Sequence, residues 1–159
     1  MRKQAASRGP RPSRLERVPG IDYGDLEDYC GYALRRAQIA AFGAFFRATA
    51  GAGITPPRFT ALVLLEANPG IVQSLLGRAL GTARSGAMLL TDWLVDRALA
   101  ERRHREHDGR VWGLYLTPRG ASLLARLRRR VRSREKAFIA RLSAAERTQL
   151  KRLLVKLAG

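Results

Sequence analysis

Cysteine, acidic residues and histidine are scarce in this 159-residue sequence. The one cysteine, Cys30, excludes an intramolecular disulfide framework and a zinc finger built on cysteine pairs, and it fits a reducing compartment. No stretch approaches the roughly eighteen consecutive apolar residues of a membrane-spanning helix, and the basic N-terminus is not followed by the apolar segment of a secretory signal. These absences predict a cytoplasmic protein without a membrane partner.

The shortage of acids leaves a large positive charge. Thirty Lys and Arg residues stand against thirteen Asp and Glu, for a formal net charge of +17. Such an excess self-repels unless a polyanion or an anionic surface is the working partner, and nucleic acid is the leading candidate. Most of the excess is arginine, whose planar fork suits phosphate and guanine, although a GC-rich genome also enriches arginine without a functional reason.

The arrangements of residues that common catalytic and metal sites need are missing as well. No Ser-His-Asp order, nucleophile elbow, Walker loop or paired buried carboxylates is evident, and both histidines fall in one predicted loop. That loop, residues 104–108, combines histidines with acids, but the arginines around it would repel a divalent cation. We therefore predict that the protein is not an enzyme and has neither a metal site nor a cofactor. We interpret the loop as a contact to DNA phosphates.

The chain is organised around residues 71–98, which predict two short helices joined by a tight turn. Apolar residues recur at helical spacing on both sides of Gly81, and glycine ends a helix because it takes a positive φ at no steric cost. Gly77 and Ala87 are small residues where the two helices would cross. Such a close crossing is what a helix-turn-helix requires before it presents its second helix to DNA.

The second of these helices carries polar side chains opposite its apolar stripe. They offer a guanidinium fork, hydroxyls and a flexible apolar contact, which are the groups that read base edges in a major groove. The predicted DNA contacts of the two helices are Ser74, Arg84, Ser85, Met88 and Thr91. Two amphipathic helices around a glycine also occur in proteins that bind no DNA, so the surrounding sequence decides between the two interpretations.

The N-terminal third predicts an arm followed by helices. Residues 1–19 are basic and proline-containing without a hydrophobic period, which predicts a disordered basic arm. A long helix is predicted from Asp25 to about Ala50. It is apolar on two faces, so we expect one face to pack on its own domain and the other on a second subunit. Thr55 with Pro56 caps and starts the next helix.

The hydrophobic period changes from helical to alternating after the organising stretch. Residues 99–103 and 112–116 predict two short strands with a loop between them, and a hairpin directly after a recognition helix is a wing. Thr117 and Pro118 then start a long helix, and Ser143–Glu146 forms a capping box that opens a last helix. The predicted fold class is mostly α with a small two-stranded β-wing.

With this order of elements, the chain resembles the MarR family of bacterial transcription regulators over about residues 25–158. The segments that carry the resemblance are ITPPRFTALVLL, QSLLGRALGTARS, LLTDWLVDRALAERR, HDGR and LTPRG. Ala98 departs from the family, which usually carries glycine there, so the bend that leaves the recognition helix is expected to differ slightly. The resemblance implies a winged helix-turn-helix domain over residues 53–117 and a helical dimerisation region over residues 20–52 and 118–159.

The family's DNA-binding mode provides further expectations. The resemblance implies a homodimer on double-stranded DNA, with each recognition helix in a major groove and each wing in a flanking minor groove of a near-palindromic operator. It also implies that Arg110 enters the minor groove while Asp108 holds its guanidinium through a charge-assisted pair. We add Arg105 of the same loop as a DNA contact.

A small-molecule effector is expected as well. In the family the ligand cavity lies between the dimerising helices and the winged domain and often takes aromatic carboxylates. The candidate ligand contacts in this chain are Tyr32, Arg36, Phe42 and Arg58. Residues 66–85 are similar to members that respond to aromatic acids or their coenzyme A thioesters. The expected function is a dimeric repressor that leaves its operator when the ligand stabilises another dimer geometry.

Two alternatives stay open. Some relatives sense organic peroxides through a cysteine in the first helix, which makes Cys30, beside Tyr29 and Tyr32, a candidate redox site. A small basic dimer can also be a non-specific architectural DNA-binding protein. Against that alternative, Asp92 and Asp96 would repel phosphate on a purely electrostatic surface.

Overall fold

The structure is a computed structural model that describes residue 15, residues 17–105 and residues 108–159, with the backbone alone for residues 108–110. The predicted arm, residues 1–19, lies mostly outside the described residues. The helices and strands of the described part are α1 (Cys30–Ala48), α2 (Pro56–Ala67), α3 (Gln73–Ala79), α4 (Arg84–Asp96), β1 (Ala100–Arg105), β2 (Asp108–Leu116), α5 (Pro118–Phe138) and α6 (Ala144–Ala158). The predicted fold class is confirmed.

The described residues form two compact units. One contains the residues up to Ala48 together with Val131–Gly159, and the other contains Thr49–Arg130. The second of these, which we call the winged unit, has a continuous leucine core. Its fully buried leucines come from α2, α3, α4 and α5 and are Leu62, Leu65, Leu76, Leu94, Leu124 and Leu127. The other unit, which we call the helical unit, buries small residues of α1, and α6 has no buried residue at all.

The first helix begins later than predicted. Gly24–Asp28 forms a 3₁₀ turn, Tyr29 is extended, and α1 starts at Cys30 instead of Asp25. The carboxylate of Asp22 accepts a hydrogen bond from the backbone N–H of Gly24 at 2.9 Å, at the start of the 3₁₀ turn. Short acidic side chains compete in this way with helical hydrogen bonds, which explains why apolar spacing alone misplaced the start.

The crossing of α3 and α4 is as close as predicted. A Cβ placed on Gly77 would lie 2.9 Å from the Cβ of Ala87, so only glycine lets the two backbones approach this far. Gly81 takes a φ of +61°, and the N–H of Thr82 donates to the carbonyl of Gly77 at 3.0 Å across the turn. The helix-turn-helix geometry therefore depends on the small size of Gly77 and Ala87 and on the positive φ of Gly81.

The hairpin is longer than predicted. Its antiparallel register pairs Ala100 with Leu116 and His104 with Trp112, and a bulge follows between His104 and Arg105. The charged segment predicted to be loop is therefore mostly strand. One face of a two-stranded hairpin stays in solvent, so backbone pairing accommodates a run of basic side chains that composition assigns to a loop.

The bend at Ala98 uses a backbone conformation that suits glycine. Ala98 has a φ of 52°, and its carbonyl accepts a hydrogen bond from the Thr117 hydroxyl at 2.7 Å. A left-handed residue with a side chain costs about 1 to 2 kcal/mol, and glycine loses about 0.5 to 1 kcal/mol more chain entropy on folding. The bend is thus made by alanine at some cost in stability.

We therefore expect Ala98→Gly to raise the free energy of unfolding by about 0.5 to 1 kcal/mol in urea titrations. Ala125→Gly, in the exposed interior of α5, is the matched control and should lower it by about 1 kcal/mol. An Ala98→Gly protein that is less stable than wild type would contradict a strained bend.

The capping box at the start of α6 is confirmed. The Ser143 hydroxyl accepts from the backbone N–H of Glu146 at 3.3 Å, and the Glu146 carboxylate accepts from the backbone N–H of Ser143 at 2.7 Å. The preceding helix, α5, ends at Phe138, although apolar residues continue at helical spacing to Leu142. The capping box, which is a local signal, predicted the start of α6 correctly. Apolar spacing alone would place the end of α5 too late.

The Glu146 carboxylate also accepts a hydrogen bond from the Ser143 hydroxyl at 2.7 Å. The bonds that the carboxylate accepts, from the Ser143 backbone N–H first and from the hydroxyl second, lower the pKa of Glu146 from its ordinary value of 4.5. The unfolded chain then binds the proton more readily, so the carboxylate's contribution to stability is present above that value and is lost as pH falls through the lower folded pKa. We expect the stability difference between wild type and Glu146→Gln to shrink as pH falls from about 7 to about 3. Urea titrations at several pH values would measure it, and a difference independent of pH would contradict the box.

Candidate nucleic-acid interface

The N-terminal half of α4 presents an exposed face. Arg84 and Ser85 are exposed at its first turn, and Met88 follows with 49% of its surface accessible. Leu89, at 69%, is also exposed and was not predicted as a contact. A guanidinium, a hydroxyl and two flexible apolar side chains on one helix end match the groups that contact guanine, adenine and the thymine methyl.

A groove of about 490 Å³ runs between α3 and α4 beside this face. Ser74 and Arg78 line it from α3, and Thr82 and Arg84 line it from the turn and α4, with Gly77 and Ala87 between them. Arg78 was missed from sequence. It lies one helical turn after Ser74, and this spacing would have identified it as a neighbour on the same face.

Thr91 does not belong to the exposed face, and its prediction as a base contact was wrong. It is 1% exposed, and its hydroxyl donates to the carbonyl of Ala87 at 2.8 Å. Residue 91 lies one turn after Ala87 and so falls on the buried stripe of the helix. Threonine is accepted there because its hydroxyl is satisfied by the preceding turn.

Asp92 has a specific partner. Its carboxylate accepts from the Arg102 guanidinium of β1 at 2.6 Å, and the same guanidinium lies 3.5 Å from the side-chain oxygen of Gln73 on α3. The pair fixes the wing against both helices of the helix-turn-helix. Because the Asp92 carboxylate is paired with Arg102, its presence is not evidence for base reading over purely electrostatic binding. The sequence argument from Asp92 was too strong.

The wing carries an aromatic pair that sequence reasoning did not identify. His104 and Trp112 face each other across the hairpin with ring centroids 4.1 Å apart, and Trp112 is 55% exposed. Arg105 is exposed at the end of β1. The side chains of Asp108 and Arg110 lie outside the described residues, so their predicted roles stay predictions.

Residues 104–108, the segment that combines histidines with acids, lie partly outside the described part of the chain. Within that part, no group of three His, Cys, Asp or Glu side chains is placed to hold a metal ion.

The predicted ligand contacts lie in both units. In the helical unit, the guanidinium of Arg36 lies 5.8 Å from the ring of Tyr32 and 3.5 Å from the Glu27 carboxylate, and Phe42 is 38% exposed. In the winged unit, Arg58 donates to the carbonyl of Gly53 at 2.8 Å. Cys30, the candidate redox residue, is an exposed free thiol at the first position of α1.

Comparison with known proteins supports the fold. The MarR family model matches residues 52–111. A protein of Thauera aromatica assigned to regulation of the hcr operon is 38% identical over 136 residues, which is 85% of this chain and 82% of that protein. The repressor CouR bound to a 23-mer DNA duplex superposes with a TM-score of 0.81 at 34% identity, covering 87% of this chain and 99% of CouR. The chain belongs to the MarR family.

As a member of the MarR family, the protein is a DNA-binding regulator of transcription. CouR bound to p-coumaroyl-CoA superposes with a TM-score of 0.78 at 33% identity, covering 87% of this chain and 97% of CouR. The same kind of structure is therefore known with DNA and with an acyl-CoA. Within the described residues no helix is long and apolar enough to cross a membrane.

Proposed function

We propose that the protein is a dimeric cytoplasmic repressor that reads a near-palindromic operator with α4 and releases it on binding a small effector. The observation that carries the proposal is the exposed end of α4, which presents Arg84, Ser85 and Met88, and Arg84 also lines a groove together with Ser74 and Arg78 of α3. A purely electrostatic surface has no need of an exposed methionine and hydroxyls beside its arginines. Base reading in a major groove uses all three.

The proposed contacts have distinct roles. Arg84 would make a bidentate contact with guanine, the two serines would accept from or donate to base edges, and Met88 would cover a thymine methyl. On the wing, Arg105 and Arg110 would lie along the minor groove, with Asp108 holding Arg110. Phosphate contacts position the protein, whereas the α4 contacts specify the sequence.

Dimerisation would explain the uncovered apolar surface of the helical unit. We propose that residues 20–52 and 118–159 form the dimerisation region and residues 53–117 the DNA-binding domain. The exposed apolar side chains of α1 and α6 include Leu34, Phe42, Leu150, Leu153, Leu154 and Leu157. A second copy would cover them and, through its twofold axis, place two recognition helices about one turn of DNA apart.

The proposed effector is an aromatic acid or its coenzyme A thioester. The structural likeness to CouR bound to p-coumaroyl-CoA supports this class, and an arginine-rich chain suits an anion. Tyr32, Arg36 and Phe42 would supply aromatic and cationic contacts. Because Arg36 already lies near Glu27, it would exchange one carboxylate partner for another.

Arg84→Ala tests base reading. We expect binding to the operator to weaken by about 1 to 3 kcal/mol, or about 5- to 150-fold, while binding to random DNA changes little. Arg119→Ala removes the same charge from an exposed position at the start of α5 and should leave specificity unchanged. Equal losses for Arg84→Ala on both duplexes in fluorescence anisotropy titrations would make Arg84 a phosphate contact.

A second candidate function is peroxide sensing, favoured by the exposure of the Cys30 thiol. Peroxide would oxidise the thiol to a sulfenic acid, with the peroxide reduced to an alcohol or water. Operator binding lost on mild peroxide treatment in the wild type but retained in Cys30→Ser would support this function. Wild-type binding that survives the treatment would eliminate it.

A further inference from the structure

The aromatic pair of the wing lies where the hairpin leaves the helix-turn-helix. The register pairs His104 with Trp112 directly after the pair of Arg102 with Leu114, so the two pairs share one face. Leu114 is 2% exposed, and Arg102 contacts Asp92 of α4 at 2.6 Å. One step further along the strands, or about 7 Å, both rings are exposed. His104 and Trp112 are therefore the first pair on this face beyond the contact with the recognition helix.

The strand that carries Trp112 is fixed to the segment that precedes α3. The N–H of Gly70 donates to the carbonyl of Leu114 at 2.9 Å, and the N–H of Leu114 donates to the carbonyl of Ile71 at 3.0 Å. A Cβ placed on Gly113 would lie 2.9 Å from the Cα of Gly70, so this close backbone approach requires glycine. The backbone beside Trp112 therefore has a defined position relative to the helix-turn-helix before DNA binds.

The Trp112 indole is held by one neighbour and is still largely accessible. Its ring centroid lies 4.1 Å from that of His104 with 35° between the ring planes, and 55% of its surface is exposed. The other tryptophan, Trp93, is covered by the guanidinium groups of Arg58 and Arg97, at 3.7 and 4.0 Å from its centroid. An indole combines a flat apolar surface with one N–H donor. It therefore suits a partner that offers an apolar surface beside hydrogen-bond acceptors.

The position of the pair determines which part of the DNA it meets. In the proposed complex α4 lies in the major groove, and Arg105 and Arg110, which come next along the two strands, lie along the minor groove. One sugar–phosphate backbone separates a major groove from the neighbouring minor groove. Side chains between the two contacts therefore face that backbone. Its deoxyribose rings are apolar and its phosphate oxygens accept hydrogen bonds, which matches the face and the N–H of an indole.

We propose that Trp112 packs on the DNA sugar–phosphate backbone between the two grooves and that His104 positions the indole for this contact. The proposal deepens the proposed function and rests on it for the placement of α4 and the wing. Such a contact carries no sequence information, and it neutralises no phosphate charge. It fixes the wing in register with α4 and adds affinity that salt does not screen.

The fluorescence of Trp112 tests the contact directly. The chain has two tryptophans, so Trp93→Phe leaves Trp112 as the only one. Acrylamide quenching is measured for the protein alone and with a saturating duplex, either from upstream of its own gene or of random sequence. We expect either duplex to reduce the quenching of Trp112 several-fold. Trp112→Phe, which leaves the covered Trp93, is the matched control and should change little.

Two results of this measurement would overturn the contact. One is quenching of Trp112 that stays the same in the DNA-bound protein. The other is equal protection of Trp93 and Trp112, because it would reflect a general change of the protein and not a contact at the wing. Protection is measured on both duplexes, so a failure of sequence-specific reading would remain separate from a failure of this contact.

Affinity measurements distinguish a backbone contact from a base contact or a charge contact. Trp112→Ala is expected to weaken binding to both duplexes by about ten-fold, and Trp112→Phe, which keeps a flat ring without the N–H, should be intermediate. The slope of log affinity against log salt should not change in Trp112→Ala, whereas Arg105→Ala should reduce it by about one. A loss confined to the upstream duplex, or a reduced slope in Trp112→Ala, would overturn the backbone assignment.

The positioning role of His104 has its own test. His104→Phe keeps a stacked ring beside Trp112, whereas His104→Ala removes it. In the Trp93→Phe background, we expect DNA to protect Trp112 as fully in His104→Phe as in the parent and less in His104→Ala. Binding should weaken several-fold in His104→Ala and recover in His104→Phe. His104→Ala with full protection and unchanged affinity would overturn the positioning role.

Discussion

Replacing two leucines of α6 by aspartate, Leu153→Asp with Leu157→Asp, is expected to give a monomer whose operator affinity is lower by about 100-fold or more. These side chains are 44% and 72% exposed and lie one turn apart on the same face of a helix without buried residues. A dimer binds its second half-site as an intramolecular event, and a monomer loses that advantage. Light scattering measures the mass, and titration of the operator measures the affinity.

The chain offers a matched control on the opposite side of the same helix. Thr148→Asp with Val155→Asp adds the same charge at positions rotated by roughly half a turn from the leucines. We expect this variant to stay dimeric and to bind the operator like wild type. A leucine variant that remains dimeric, or a control that dissociates equally, would contradict the proposed dimer face.

Gly120→Ala is expected to destabilise the winged unit by about 3 kcal/mol or more, the upper end of overpacking costs. A Cβ at this position would overlap the backbone carbonyl of Leu99 and lie 2.8 Å from a methyl carbon of Leu116. Backbone atoms cannot rotate away as a flexible side chain does. The beginning of α5 would have to move off the base of the wing, with loss of folded protein and of DNA binding. Urea titration followed by circular dichroism measures the effect.

Helix propensity and steric overlap predict opposite signs for the effect of Gly120→Ala on stability. In a helix, alanine is favoured over glycine by about 1 kcal/mol, so propensity alone predicts that Gly120→Ala stabilises the protein. Gly31→Ala in α1 is the matched control, because a Cβ there meets no atom within 4 Å. We expect Gly31→Ala to stabilise the protein by up to about 1 kcal/mol. Equal effects of the two substitutions would contradict the tight contact at Gly120.

Local signals in the sequence predicted much of the fold. Pro56 marked the start of α2, Gly81 marked the turn, and the pairing of Gly77 with Ala87 predicted the close helix crossing. Each of these depends on the conformational range or size of one residue. A glycine with a positive φ or a proline at a helix start acts over a few residues, and sequence displays that information directly.

Features that depend on distant residues were not predictable in the same way. Thr91 was assigned to the polar face because a hydroxyl looks solvent-exposed, whereas helix rotation places it in the core with its hydroxyl satisfied by Ala87. The contact of Arg58 with Trp93 joins residues from two helices that no sequence period relates. The predicted first strand ended too early, at residue 103 instead of Arg105, and the predicted second strand began too late, at residue 112 instead of Asp108. The alternating pattern describes side chains and not backbone pairing.

The most direct test of the central claim is a titration of the purified protein with DNA from upstream of its own gene and with a random duplex of equal length, at two salt concentrations. A sequence-specific regulator is expected to bind the upstream DNA more tightly and to keep that preference at the higher salt, because base contacts depend less on counterion release than phosphate contacts do. Equal binding to both duplexes, lost together as salt rises, would contradict base reading by α4 and would indicate an architectural DNA-binding protein.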